Sequence, residues 1–496
     1  MAGPGGLPLA LRLSEGLGVR LGTEHSKLPQ TKQEPHMRIA TELSAADAPG
    51  IVKQMVAITG SDPWLRRFAW LDREQQENEH MREWLVERCG LETALRDVVR
   101  SEELKRHGSL QLQLPGRYGL VAFAAGVTQI HSALTEAGKT RLRGMLLDGL
   151  KSDKGLTPLQ HEVSTAVHLV RQGFDVEFHD LDTGGGFDFL ATREDLQVEV
   201  ECKVFSGDIG RQIHKRSAAK LLKALSGHLA RVLETAEKGL LIRISLPGRL
   251  TNAVEQHAAI AAALQTGVLA GGPYVSDSCT ITVQDFDIST SPFGNDGGPE
   301  LGLGDVRQFV RLKTGASNST LAIFFNEDGG VIVLVLDSTV ADDVIKGMRR
   351  QLRDAAGDQF SGSHPGILSA QLLELTNEQL LEFSASTSLN RASAPKLQVM
   401  TSDLLQAESR RHVHSVIYRG TPSVYEDDSS IGVRGVTYFM KNEFHPQASD
   451  PRLISVGAAI ERPSRIVMPK RAKATGGTAA SLGRGALAAP RERRRT

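Results

Sequence analysis

Cysteine is scarce: Cys89, Cys202 and Cys279 are the only three in 496 residues. They are too few and too scattered for a disulfide framework or a zinc ribbon, and they fit a reducing cytoplasm. Net charge is absent as well, because 58 basic side chains balance 58 acidic ones. No global basic field exists, so any nucleic-acid binding depends on local clusters of Lys and Arg. Long apolar runs are also missing. Stretches such as Val331 to Leu336 are strand-sized, far below the ~20 residues of a membrane span. Residues 1–18 have neither the charged start nor the apolar run of a secretory signal. A cytoplasmic location with no membrane partner is expected.

What is present describes an ordinary globular chain, 40% hydrophobic and 23% charged. Its length suggests two to four domains at roughly 100 to 200 residues each. Residues 1–36 are Gly-, Pro- and polar-rich without periodicity and read as disordered, with Met37 a candidate start. Residues 37–150 are helical in pattern and carry Trp64, Trp70 and Trp84 as core anchors. The segment 151–275 mixes helices and strands, 276–462 is a second mixed α/β region of unreadable role, and 463–496 is a basic tail expected to be disordered.

Within 151–275 the order is legible. Thr157, Pro158 and Gln160 suit a capped helix start, and Gly173 ends that helix. The strands FDVEFHD, FDFLAT and LQVEVECKV follow, then a basic helix over about 210–238, the strand GLLIRISL and a helix over about 252–269. In 276–462 the stretches CTITVQDFD and ILSAQLLEL read as strands, VADDVIKGMRRQLRDAA as a helix, and STLAIFFNEDGGVIVLVLD as a hairpin.

Glu199, Glu201 and Lys203 alternate along LQVEVECKV, and strand alternation puts all three on one face. If Glu194 and Asp195 form a two-residue turn, Asp188 lies opposite Glu201. Such partners have Cβ atoms ~4.5 to 5.5 Å apart, where like charges repel. A divalent cation reverses that sign, since paired carboxylates are a hard oxygen site of the kind Mg²⁺ prefers.

Asp188, then Glu201-Cys202-Lys203 on the next strand, after a helix carrying Glu162, resembles the PD-(D/E)XK nuclease superfamily. The likeness covers about residues 157–250 and implies a restriction-endonuclease-like core within an α/β chain. It implies Asp188 and Glu201 as Mg²⁺ ligands with Mn²⁺ as a substitute, Lys203 acting on the attacking water, and Glu162 assisting the metal. Where the family often has Pro or a small apolar residue before the Asp, this chain has Phe187. Glu103-Leu104-Lys105 has the same Glu-x-Lys spacing but no strand-borne Asp before it, and carries no functional weight.

The implied activity is Mg²⁺-dependent phosphodiester hydrolysis, with DNA as the expected substrate in a restriction or defence setting and a homodimer or accessory protein as further partner. Arg216, Lys220 and Lys223 recur at helical spacing as a candidate phosphate-binding stripe, with Leu221, Leu222, Leu225 and Leu229 turned to the sheet. Gln212 and His214 lie near that helix start without an assigned role. Two alternatives remain: a non-catalytic nucleic-acid-binding or assembly module on the same fold, and an unrelated α/β protein whose hairpin charges are structural, the plainest case being a solvent-facing edge hairpin whose charges deter aggregation.

Three other motifs are set aside. Ala137-Gly138-Lys139-Thr140 lacks the first P-loop glycine and a preceding strand. His412-Val413-His414 lacks a third metal ligand. Glu426-Asp427-Asp428 reads as a solvated loop. Cys202 points away from its charged neighbours, into the core.

Overall fold

The computed structural model describes residues 42–101, 110–112, 114, 116–234, 236–294, 303–316, 319–373, 396–420, 423–426, 430–434, 437–457 and 465–467. The expected disorder of 1–36, the Glu103–Lys105 comparison and most of the basic tail and acidic loop lie outside these residues.

The chain enters through strand β1 (Glu42–Ser44) and then runs through helices α1 (Ala48–Thr59), α2 (Ser61–Glu77), α3 (Arg82–Arg88), α4 (Gly90–Arg100), α5 (Arg117–Ala133) and α6 (Glu136–Lys151). Next come α7 (Thr157–Arg171), β2 (Asp175–Glu177), α8 (His179–Thr183), β3 (Phe189–Arg193) and β4 (Leu196–Phe205). They are followed by α9 (Lys215–Glu234), β5 (Gly239–Leu246), α10 (Val254–Ala270), β6 (Tyr274–Val275), β7 (Thr280–Phe286), α11 (Leu303–Thr314), β8 (Thr320–Phe325) and β9 (Val331–Ser338). The last stretch holds α12 (Val344–Asp358), β10 (Gly366–Leu372), α13 (Lys396–Gln406), β11 (Val413–Arg419), β12 (Ser423–Glu426), β13 (Ser430–Arg434), β14 (Thr437–Lys441), α14 (Pro451–Val456) and β15 (Arg465–Val467).

This is a mixed α/β protein. Among the described residues, one sheet has the order β14-β11-β10-β4-β3-β2, a second β6-β7-β5-β9-β8, and a smaller one β1-β15-β13-β12. β4 pairs in parallel with β10, and β5 pairs in parallel with β9. The expected boundary near residue 275 therefore divides neither sheet from the other. β5 and α10, expected with the 151–275 unit, build the second sheet, whereas β10, β11 and β14 from the later region complete the first. The chain leaves the first sheet at Phe205, builds the second, and returns at Gly366. Strand order in sequence carries no information about such a long excursion.

Both faces of the first sheet are covered, as parallel pairing at its centre requires. Val198, Val200, Cys202, Phe189 and Ile367 pack with Leu159, Val163 and Ala166 of α7 in a core shared with the N-terminal helices. On the other face Phe205, Leu368, Ala370 and Tyr418 meet Met348 and Leu352 of α12 and Leu397 and Leu404 of α13. Trp64 and Trp84 are buried, as expected of core anchors, while Trp70 is half-buried beneath the Arg67 guanidinium.

Two local expectations are corrected. Thr157 does not cap α7: its hydroxyl donates to the Arg88 carbonyl, and the cap position is Leu156, whose N–H goes to the buried Glu92 carboxylate. Tertiary partners outcompete the local capping box there. In the expected disordered tail, Arg465–Val467 forms β15, whose backbone pairs with β1 on one side and β13 on the other. No helix among the described residues is long and apolar enough to cross a membrane.

His412 and His414 do not form a metal pair. A register shift between Gly366 and Ile367 leaves His414 in a bulge opposite β10, which breaks the two-residue alternation. The His412 ring bonds the Ala356 carbonyl, whereas His414 is fully buried edge-on to His445, with neither ring nitrogen partnered among the described residues. Burial pushes the His414 imidazole down to about 3. The unfolded ring takes up a proton near its ordinary 6.5 and the folded ring does not, so stability falls as pH drops below 6.5. Between pH 6.5 and 5 this one ring should account for about 2 kcal/mol. His414→Leu is expected to reduce the acid loss by that amount in urea titrations at the two pH values. An unchanged loss would mean that the ring protonates in the folded state.

Candidate active site

The β3–β4 hairpin has the predicted register. Arg193 pairs with Leu196, Leu190 with Glu199 and Phe189 with Val200, so continuation places Asp188 opposite Glu201. Glu194 takes φ 58°, the left-handed conformation a two-residue turn demands, and Arg452 holds both Glu194 and Asp195. β4 is not an edge: it lies between β3 and β10, with Glu199 0% and Glu201 2% exposed. The reading of a solvent-facing edge hairpin is thereby excluded.

The four charged candidates come together. Asp188 Oδ2 accepts a hydrogen bond of 2.6 Å from the Cys202 N–H across the hairpin. The Lys203 ammonium donates to Glu201 Oε1, and among the described residues the buried Glu201 Oε2 has no partner. Glu162, half-buried on α7, senses the charges of Asp188, Asp180 and Glu201. Burial first, then this mutual repulsion, holds Glu162 and Asp188 well above the usual carboxylate range. Burial also raises Glu201, against the opposing pull of Lys203. Burial works against the Lys203 ammonium, yet Glu201 and then Asp188 carry it above its ordinary value.

Asp180 was not anticipated. The sequence places it in the strand FDVEFHD, but the structure stops β2 at Glu177 and starts α8 at His179, so Asp180 turns toward the other carboxylates. Burial raises its carboxyl too. The available signal was the clustering of Asp180 and Asp182 just ahead of three glycines, a turn that leads straight into Asp188. Glu199 is explained differently: it binds the Ser361 N–H and hydroxyl beyond α12, fixing that helix end to the hairpin. Cys202 is buried toward α7, as expected.

Among the described residues no three His, Cys, Asp or Glu side chains form a ready ligand set for a metal ion. The arrangement still fits Mg²⁺, which commonly takes one or two carboxylates and fills its octahedron with waters and substrate oxygens. The unpartnered Glu201 Oε2 beside the Asp188 carboxylate is the donor set on which that fit rests.

The predicted phosphate-binding stripe is placed elsewhere. Leu221, Leu225 and Leu229 of α9 pack on Ile242, Ile244 and Leu334 of the second sheet, not on the sheet that carries Glu201. Arg216 turns inward, paired with Asp153 and 5.2 Å from the Trp84 ring centroid, leaving Lys220 and Lys223 exposed. Helical spacing shows which residues share a stripe, but not which sheet the helix covers. Arg216→Ala is expected to lower stability by about 1 kcal/mol without changing DNA affinity; a loss of affinity at unchanged stability would return it to the binding surface. Gln212 and His214 engage Asp342 and Arg249.

No family model matches the chain, and no curated protein or solved structure is similar to it.

Proposed function

We infer that this protein is a Mg²⁺-dependent phosphodiester hydrolase, a DNA endonuclease of restriction or defence type on a restriction-endonuclease-like core. The observation that carries this reading is the half-buried Asp188, one residue before β3, set by the hairpin register across from the buried Glu201, with Glu162 adjoining them and Lys203 on the same face as Glu201. Such crowding works against folding unless a cation offsets it. Asp188 and Glu201 Oε2 would hold Mg²⁺, or Mn²⁺ in its place, with Glu162 assisting through the surrounding water. When bound, the ion supplies charge neutralisation at the scissile phosphate and a lowered pKa of its water.

The chain's own residues do the rest. Lys203 is protonated at neutral pH and 32% exposed, so it reaches the substrate side as a donor. It therefore orients the attacking water or stabilises charge on a phosphate oxygen, and does not act as a base. Oε1 of Glu201 keeps that ammonium aimed. Asp188 is positioned by the Cys202 N–H.

A second reading is a non-catalytic nucleic-acid-binding scaffold. It is favoured by the direct Lys203–Glu201 contact, through which the protein neutralises part of its own charge. The two readings separate on incubation of the purified chain with supercoiled and linear DNA in Mg²⁺, with and without chelator. Chelator-sensitive cleavage supports the hydrolase; binding without cleavage supports the scaffold.

A further inference from the structure

The outer face of α12, turned away from the sheet, and the short turn Glu408–Arg410 gather positive charge. Met348, Leu352 and Ala355 face the core. Lys346, Arg349, Arg350 and Arg353 are therefore left on the solvent side, all exposed. At 1.5 Å per residue this stripe is about 10 Å long, on the order of three nucleotides along one strand. The turn after α13 is tied to the same helix through the His412 ring on the Ala356 carbonyl. It brings Arg410 close enough to Arg353 and Arg349 for the three charges to repel.

Acidic partners only partly offset this. Asp403 lies 3.3 Å from Arg349, Asp354 3.5 Å from Arg353 and Asp343 3.9 Å from Lys346, and all three pairs are about half exposed or more, which makes them weak and exchangeable. Arg350 is exposed, and Arg410 feels the attraction of Asp354 less than the repulsion of Arg353 and Arg349. Arginine forks suit phosphate oxygens better than they suit one another. The helix is also coupled to the site. Ser361, just past its C-terminal end, holds Glu199, and Gly186 of the turn leading into Asp188 lies against the Gln359 carbonyl.

We propose that Arg349, Arg353 and Arg410, with Lys346 and Arg350 flanking them, form the surface that holds the phosphate backbone of duplex DNA. This deepens the hydrolase reading and rests on it for the identity of the ligand. It also replaces the α9 stripe expected from sequence.

The test measures fluorescence anisotropy of a labelled 20-base-pair duplex in chelator, where cleavage plays no part, across a NaCl series. Arg349→Gln/Arg353→Gln/Arg410→Gln is expected to weaken binding at least 10-fold and to reduce the salt slope by about 2 to 3. The corresponding triple lysine variant should keep most of the affinity, and Lys220→Gln/Lys223→Gln should change it less than two-fold. Unchanged affinity and slope in the glutamine variant overturn the proposal, as does an equal loss in the lysine variant, which would mark a structural defect. Failure of the wild-type chain to bind duplex overturns it in favour of an acidic protein partner. Arginine-dependent binding without any Mg²⁺-dependent cleavage supports this surface while the hydrolase reading fails. Cleavage with arginine-independent binding does the reverse.

Discussion

Lys203→Ala is expected to reduce Mg²⁺-dependent cleavage of supercoiled DNA by about 10² to 10³-fold, the usual cost of removing one electrostatic donor from a charged transition state. Among the described residues its ammonium is the cation paired with the buried Glu201, and β4 carries no other Lys or Arg that can replace it. Asp188→Asn is expected to cost at least as much, because it removes a proposed cation ligand while the amide oxygen can still accept the Cys202 N–H. Folding should survive both changes. A Lys203→Ala protein that cleaves within a factor of three of wild type would remove Lys203 from the site and with it the reading of Glu201-Cys202-Lys203 as a catalytic triplet.

The second large effect concerns stability without cation. Asp188→Asn and Glu162→Gln should each stabilise the cation-free chain by about 1 to 3 kcal/mol, since each removes a half-buried charge that repels its neighbours. The pH dependence follows from the raised values of Glu162, Asp188 and Glu201. A carboxyl raised in the folded state holds its proton where the unfolded chain has lost it. The associated stability is fully present below the ordinary carboxylate value of about 4 and is lost as pH rises through the raised one. Cation-free wild type should thus lose stability through that window, and the two variants should lose less. Saturating Mg²⁺, at 100 times its Kd, should return about 2.7 kcal/mol to wild type and little to Asp188→Asn. Thermal melts with chelator and with Mg²⁺ read all of these. Destabilisation by both variants in chelator would show that the carboxylates serve as structural acceptors.

The two pH effects oppose each other. Raised carboxylates favour the acidic side, whereas buried His414 penalises it below 6.5. The mutants separate them: Asp188→Asn alters the first and His414→Leu the second.

Local order was readable where neighbours in sequence are neighbours in space. The hairpin from Asp188 to Lys203 follows from alternation plus a two-residue turn, and its register appears as derived. β5 and the β8–β9 hairpin were equally legible, since apolar runs bounded by turn residues leave few alternatives. Thr157 misled because its hydroxyl found the Arg88 carbonyl, a partner that no local rule can supply. Arg216 misled because Trp84 and Asp153, remote in sequence, turned it inward.

Sequence alone therefore determined the charged strand, its turn and the pairing of Asp188 with Glu201, because side-chain alternation and turn geometry act over a few residues. Tertiary structure decided what that pairing means. Only the return of the chain as β10 made β4 an interior strand and buried Glu199 and Glu201. Only packing turned Asp180 toward the carboxylates and set α12, not α9, over the sheet that bears them. Burial and long-range repulsion depend on which distant segments meet, and pairings of that kind are settled by the whole core.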